Sequence, residues 1–236
     1  MSDRAVVLAG GKGTRLRPYT VALPKPLMPV GEYPVLEIIV RQLRRYGFRH
    51  ITMAVNHQAD IIKAFFEDGG KWGVGIDYSM ETEPLSTIAP LRLIAGLPRH
   101  FVLINGDVLT DLDMRSLFEK HVNEDRLFTI AATNRSHTID YGVLETNPSN
   151  RLTGFSEKPT MSYMVCMGIN VVNREILSGI PLRGKYGLDD LLRDLLHRRE
   201  RVHVEPYNGF WLDIGRPDDY LRASEEFEQN RDLFLK

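Results

Sequence analysis

The chain has 236 residues, 43% of them hydrophobic and 26% charged, enough for one large domain with a sizeable core. Its 30 basic and 31 acidic residues leave a formal net charge of -1, which argues against a nucleic-acid-binding surface or an affinity for anionic membrane and leaves small molecules as the expected partners. A single cysteine, Cys166, excludes an internal disulfide and a cysteine-based zinc site; a reducing cytoplasm is the natural compartment, and burial is this residue's expected environment.

In chain order, residues 5–9 form a short apolar strand that runs straight into glycines and is too short for the core of a signal peptide. No stretch is long and apolar enough to span a bilayer. The run Leu8-Ala9-Gly10-Gly11-Lys12-Gly13-Thr14-Arg15-Leu16-Arg17-Pro18 follows, placing glycines and basic residues just past a buried strand. Glycines let backbone N–H groups approach an anion and the bases neutralise it, so the run reads as a phosphate loop, the alternative being a tight turn with incidental charge. It is not a Walker A loop, because Gly13 follows Lys12, nor a dinucleotide fingerprint, because Leu16 stands at the third glycine position. Soon after, Pro24-Lys25-Pro26-Leu27 holds one lysine on an arm stiffened by two prolines.

An amphipathic helix over 35–46 with Gly47 as its stop, a strand over 51–55, a helix over 59–66 and strands over 75–79 and 101–104 come next. This alternation predicts an α/β fold with a doubly wound, mostly parallel central sheet and helices on both faces. Beyond Asp107, strands over 127–133, 141–145, 151–156 and 165–172 are expected to extend the same sheet, and helices return over 188–199 and 218–228. The run Arg198-Arg199-Glu200-Arg201 reads as a solvated helix end.

The glycine loop and the lysine arm together resemble the sugar nucleotidyltransferases, or nucleotide-sugar pyrophosphorylases. Their signature is Gly-x-Gly-x-Arg-Leu-x-Pro-x-Thr and then Pro-Lys-Pro-Leu, which the chain carries from Gly11 to Thr20 and from Pro24 to Leu27. Gly106-Asp107, Glu157-Lys158-Pro159 and Trp211-Leu212-Asp213-Ile214-Gly215-Arg216-Pro217 are similar to later landmarks in the family's order.

The resemblance implies one Rossmann-like domain over 1–236, with a nucleotide-binding lobe over about 1–110 and a sugar-phosphate-binding lobe over about 111–236. The left-handed β-helix domain that some relatives append is not expected, and a homo-oligomer fits the family. The implied reaction joins a sugar 1-phosphate to the α-phosphate of a nucleoside triphosphate and releases pyrophosphate. Leu8, Ala9, Gly10, Gly11, Gly13, Thr14 and Gly106 would bind the nucleotide, and Arg15 the triphosphate. Lys25 and Lys158 would hold the reacting phosphates, with Lys158 on the sugar phosphate, while Glu157, Gly142 and Gly168 would meet the sugar. Asp107 and Asp213 would hold Mg²⁺, an ion that commonly takes one or two carboxylates plus substrate phosphates. Joining two polyanions calls first for charge neutralisation, and an ionised phosphate nucleophile needs no side-chain base.

Two departures stand out. In Glu83-Pro84-Leu85-Ser86-Thr87-Ile88-Ala89, similar to the family's Glu-Pro-Leu-Gly-Thr-Ala-Gly base-binding turn, Ser86 and Ala89 replace glycines, which makes the backbone less permissive. Glu83, Pro84 and Thr87 are the implied base contacts, and a Glu83 carboxylate facing the N1 and N2 hydrogens of guanine favours GTP with a mannose- or heptose-type 1-phosphate; UTP, dTTP or CTP with another sugar stay open. Cys166 stands where many relatives carry asparagine. Two other classes compete: a metal-dependent glycosyltransferase using Asp111-Leu112-Asp113, a pair better explained by helix capping, and a non-catalytic nucleotide-sugar sensor subunit.

Overall fold

A computed structural model describes residues 4–235. The strands are β1 Arg4–Leu8, β2 Pro29–Val30, β3 Tyr33–Pro34, β4 His50–Val55, β5 Gly75–Met80, β6 His100–Asn105, β7 Val108–Thr110, β8 Phe128–Thr138, β9 Val143–Thr146, β10 Leu152–Ser156, β11 Thr160–Asn173, β12 Val202–Tyr207 and β13 Trp211–Asp213. The helices are α1 Val35–Arg45, α2 Ala59–Phe66, α3 Met114–Asn123, α4 Leu188–His197, α5 Pro217–Gln229 and α6 Arg231–Leu235.

Seven strands form the central sheet in the order β12-β8-β11-β6-β1-β4-β5. β5, β4, β1 and β6 are mutually parallel, as is the β12–β8 pair, while β11 runs antiparallel to both β6 and β8. The reason β1 is apolar from Ala5 to Leu8 is visible in its side chains. Ala5 and Val7 enter a core closed by α1, α2 and α3, and Val6 enters a second core closed by α4 and the turns at Ala89–Leu93 and Arg174–Gly179. A strand covered on both faces has no polar side, and its sequence shows none. α1 places Leu36, Ile39, Val40 and Leu43 in the first core and ends where Gly47 takes a φ of 81°.

The second half departs from expectation in three places. β8 and β11 join the sheet but run on well beyond it as paired arms, to Thr138 and from Thr160. The strands expected over 141–145 and 151–156 form a separate two-stranded hairpin, β9–β10, whose Leu144, Leu152 and Phe155 are exposed. They do not extend the sheet, because they carry no apolar face toward a helix layer. Finally, β7 and β13 pair with each other in a short ladder of their own, covered by a third core around Leu109, Leu212, Ile214 and Phe227 of α5. That ladder, which the sequence did not reveal, brings residues about a hundred positions apart into one site.

Candidate active site

The substrates of open α/β sheets sit at the carboxyl ends of the parallel strands, and here those ends surround a cavity of about 330 Å³. Leu8 ends β1, Asn105 ends β6, Asn56 and Glu81 follow β4 and β5, and Gly10, Gly11, Lys12 and Lys25 close the cavity from the glycine loop and lysine arm. Gly13 lets the two segments touch. It has a φ of 59°, and a Cβ there would lie 3.0 Å from Lys25 Cβ and 3.0 Å from Thr20 Cγ2. The Thr20 hydroxyl donates to the Gly13 carbonyl at 2.7 Å, which fixes the loop over the arm.

Lys25 is thereby aimed at two carboxylates. Its ammonium donates to Asp107 Oδ2 and lies 3.6 Å from Asp213 Oδ1. The β7–β13 ladder sets these acids side by side: Asp213 stands opposite Val108, and the Ile214 N–H donates to the Asp107 carbonyl at 3.0 Å. Burial, then the neighbouring Asp107 charge, pushes the Asp213 carboxyl above its ordinary range, while Lys25 and Arg15 pull it down. Asp107 Oδ1 and Asp213 Oδ1 are both buried with no hydrogen-bond partner among the described residues. Two carboxylate oxygens that make no hydrogen bond, although Lys25 lies 3.6 Å from one of them, suit a hard divalent cation completed by substrate oxygens. Among the described residues no group of three or more acidic, histidine or cysteine side chains is placed to hold a metal ion by itself.

At the base end, Pro84 and Thr87 line the cavity but Glu83 does not; it is exposed. The cavity carboxylate is Glu81, which accepts from the Leu85 N–H at 3.1 Å, and burial pushes its carboxyl up against the opposing pull of that N–H and the Asn56 side chain. The sequence signal for Glu81 was present in the same run, Glu81-Thr82-Glu83, but the motif match pointed to Glu83, which the structure leaves outside the cavity. Asn56 Nδ2 is a buried donor turned toward Glu81, with no other acceptor among the described residues. Ser86, standing at a family glycine, adopts the glycine conformation with a φ of 75°, so the turn keeps its shape at some local strain. The Thr87 hydroxyl accepts from the Leu188 N–H at 2.8 Å and ties the turn to α4.

On the far side of Asp213 a second cleft of about 340 Å³ is lined by Arg15, Arg135, His137, Tyr163, Arg216 and Asp219, among others. Arg135 pairs with Asp219 at 2.7 Å. Sequence reasoning missed Arg135 and His137 because they lie on the extended β8 arm, which is polar at every position from Asn134 to Thr138 and has no alternation to mark it as a strand. Of the expected nucleotide residues, Ala9 is buried in backbone pairing with Ala54, Thr14 is exposed in a turn, and Gly106 lines the cavity.

The expected sugar residues are less tightly gathered. Glu157 approaches Gly142, its Oε2 lying 3.2 Å from where a Gly142 Cβ would be. Lys158 is exposed, with a φ of 43° and no hydrogen bond or ion pair among the described residues. Gly168 has a φ of 73° at the register shift between β11 and β8, and a Cβ there would strike Asn105 Nδ2 at 2.6 Å. It is a bulge that admits Asn105 to the cavity wall. Cys166 is exposed on β11, contrary to its expected burial, because it lies on the face of the arm that has left the sheet's helix layer.

The Asp111-Leu112-Asp113 pair does not act as a metal site. Asp113 caps α3 by accepting from the Ser116 N–H at 2.9 Å, and Asp111 accepts from the Tyr207 hydroxyl and, at 2.8 Å, from the Phe210 N–H.

A model of the nucleotidyl transferase family matches residues 4–230. The chain is 33% identical over 230 residues to a mannose-1-phosphate guanyltransferase of Emericella nidulans, covering 94% of this chain and 63% of that protein. It is 32% identical over 240 residues to a UTP–glucose-1-phosphate uridylyltransferase of Synechocystis sp., covering 93% and 62%. The chain thus spans less than two thirds of the length of these curated relatives. Its fold is shared with HddC from Yersinia pseudotuberculosis, solved in complex with GMP-PN, at a TM-score of 0.72 and 24% identity over 95% of this chain and 99% of that one.

Proposed function

The chain belongs to the nucleotidyl transferase family, and on that footing we propose that it joins a mannose- or heptose-type sugar 1-phosphate to the α-phosphate of GTP, releasing pyrophosphate with Mg²⁺ as cofactor. The observation that carries the proposal is the meeting of Lys25, Asp107 and Asp213 at the rim of the glycine-loop cavity, with two carboxylate oxygens that make no hydrogen bond among the described residues.

The base sits against Glu81 and Asn56. Guanine presents adjacent N1 and N2 hydrogens to a carboxylate and an O6 acceptor to an amide N–H, the pairing that Glu81 and the neighbouring Asn56 amide offer. Uracil and thymine flank their one N–H with carbonyl oxygens, which would face the second carboxylate oxygen unfavourably. The curated guanyltransferase relative supports the same choice.

When bound by Asp107 and Asp213, Mg²⁺ supplies charge neutralisation between the two phosphates. The chain does the rest by position. Glycine-loop N–H groups and Lys12 receive the triphosphate, and Arg15 and Lys25 lie on either side of Asp213, where negative charge accumulates as the new phosphorus–oxygen bond forms and the bond to pyrophosphate breaks. The sugar phosphate enters from the Arg15 cleft, and Glu157 and Lys158, beside the hairpin, are the residues to meet the sugar and its phosphate. The compartment that suits a chain with one exposed cysteine is the reducing cytoplasm.

Pyrophosphate release with Mg²⁺ across a matrix of nucleoside triphosphates and sugar 1-phosphates tests the reading. GTP with a mannose- or heptose-type partner is the expected productive cell. Release that needs no sugar phosphate, or none in any cell despite triphosphate binding, overturns the transferase reading, and a productive UTP cell overturns only the base.

A further inference from the structure

The opposite end of the sheet carries a second polar cleft that catalysis does not use. It lies between the last turn of α1 and the Gly70–Trp72 turn, lined by Arg41, Arg44, Arg45, Lys71 and Trp72, and closed on one side by Leu235. α1 leads into the start of β4 and the Gly70–Trp72 turn into the start of β5, whereas the substrates gather where those strands end. A six-residue strand separates the two places by roughly 20 Å.

Four cations line this cleft and, among the described residues, no carboxylate side chain does. Arg41 is neutralised by Glu37 at 2.6 Å, but Arg44, Arg45 and Lys71 make no ion pair among the described residues. Aromatic faces hold two of these three instead: Arg45 over Tyr46 at 5.4 Å and Lys71 over Trp72 at 4.9 Å. A ring positions a cation without cancelling its charge, as a carboxylate would. Arg44 packs on Gly73, where a Cβ would lie 2.8 Å from its Nε. The helix dipole accounts for two positive side chains in the last turn of α1. It does not account for Lys71, which comes from a different segment, or for Trp72, whose buried indole N–H has no acceptor among the described residues.

We propose that this cleft binds the phosphoryl oxygens of a small phosphorylated molecule, at a site separate from the catalytic one. A set of donors and cations with no acceptor of its own is complemented by a ligand that is all acceptor and anionic, and a phosphoryl or diphosphoryl group fits that description. The inference does not depend on which base or sugar the catalytic end uses.

The chain has two tryptophans, so Trp211→Phe leaves Trp72 as the sole reporter inside the cleft. In that background, without Mg²⁺, indole fluorescence is followed against inorganic pyrophosphate and, separately, GDP. A saturable change is expected in at least one titration, with a midpoint weakened about tenfold or more by Arg44→Gln/Arg45→Gln and by added salt. Equal midpoints for the two probes mean that the diphosphoryl group alone is read; a tighter GDP midpoint means that a nucleotide is the source. No saturable change up to millimolar probe overturns the proposal, as does a midpoint the double variant leaves in place. A midpoint shifted as strongly by Lys25→Gln as by the double variant overturns it too, because the signal then comes from the catalytic end.

Discussion

Around Leu8 and Asn105 the cleft is walled by the ends of strands buried on both faces, with Glu81 following the edge strand β5, whereas around Tyr163 and His137 it is walled by arms that stand in solvent. At the first end, a group can move only if the core moves with it. Glu81 is pinned by a backbone N–H, Ser86 is held in a glycine conformation, and Gly13 is wedged against Lys25. At the second, Leu144, Leu152 and Phe155 are exposed and Lys158 has no partner among the described residues. On the proposed reading, fixed groups would read the base and adjustable ones the sugar. Changes at the base end should alter the choice of substrate sharply; changes at the sugar end should be graded.

The largest effect belongs to the junction of the two ends. Asp107→Asn or Asp213→Asn removes one of two charges facing the metal, and turnover is expected to fall about 10³-fold or more while the thermal transition stays cooperative. Near-normal rates in both variants would remove these residues from the metal site. Next comes Glu81→Gln, which replaces one acceptor oxygen with a donor. The kcat/KM for GTP should drop about 100-fold and that for UTP much less, so the ratio between them narrows. An equal drop for both would make Glu81 a structural residue and return the base question to Glu83. Lys158→Ala should raise KM for the sugar 1-phosphate about tenfold and leave GTP binding unchanged, the graded response of an exposed charge. Equal loss for both substrates would take Lys158 off the sugar phosphate.

Legibility follows the same division. The glycine loop and the lysine arm were readable because each is a continuous run whose backbone chemistry is local: glycine permits the approach and proline stiffens the arm. The parallel half of the sheet was readable for a similar reason, since strands buried on both faces are apolar at every position. The β7–β13 ladder was not, because its two three-residue strands are too short for any periodicity and its register is set by packing on Phe227 and Ile214. Asp213 could be placed beside Asp107 only through the family resemblance. Glu81 was missed because two glutamates two residues apart share one face of an extended segment, and the bend that exposes Glu83 is fixed by contacts of Leu85 with Tyr186, far away in sequence. Missing, too, was the departure of the β8–β11 arms from the helix layer, which reversed the burial of Cys166: its own sequence position is apolar enough for either side.

The smallest predicted effect asks whether the two ends, so different locally, share one cooperative core. His121 is fully buried, with Nδ1 2.9 Å from the Thr129 hydroxyl and Nε2 3.1 Å from His100 Nδ1, so it links α3, β6 and β8 beneath both regions. Burial, helped by the neighbouring His100, lowers its pKa to about 3, and burial also lowers that of His100. A histidine kept neutral in the fold but free to protonate once unfolded stabilises the protein above the unfolded value of 6.5 and loses that contribution as pH falls toward its folded value. Between pH 7 and pH 5, before ordinary carboxylates titrate, Tm should fall by about 5 °C, and His121→Gln should remove most of that slope. Trp72 lies in the nucleotide half and Trp211 at the edge of the other, so single-tryptophan variants report each half separately. If 1–236 is one domain, the two probes will give the same midpoint at every pH, because protonation of a shared network weakens both sides at once. Midpoints that separate as the pH is lowered would show that the exposed arms and the buried strand ends unfold as different units, and the division between fixed and adjustable substrate contacts would then be a division between domains.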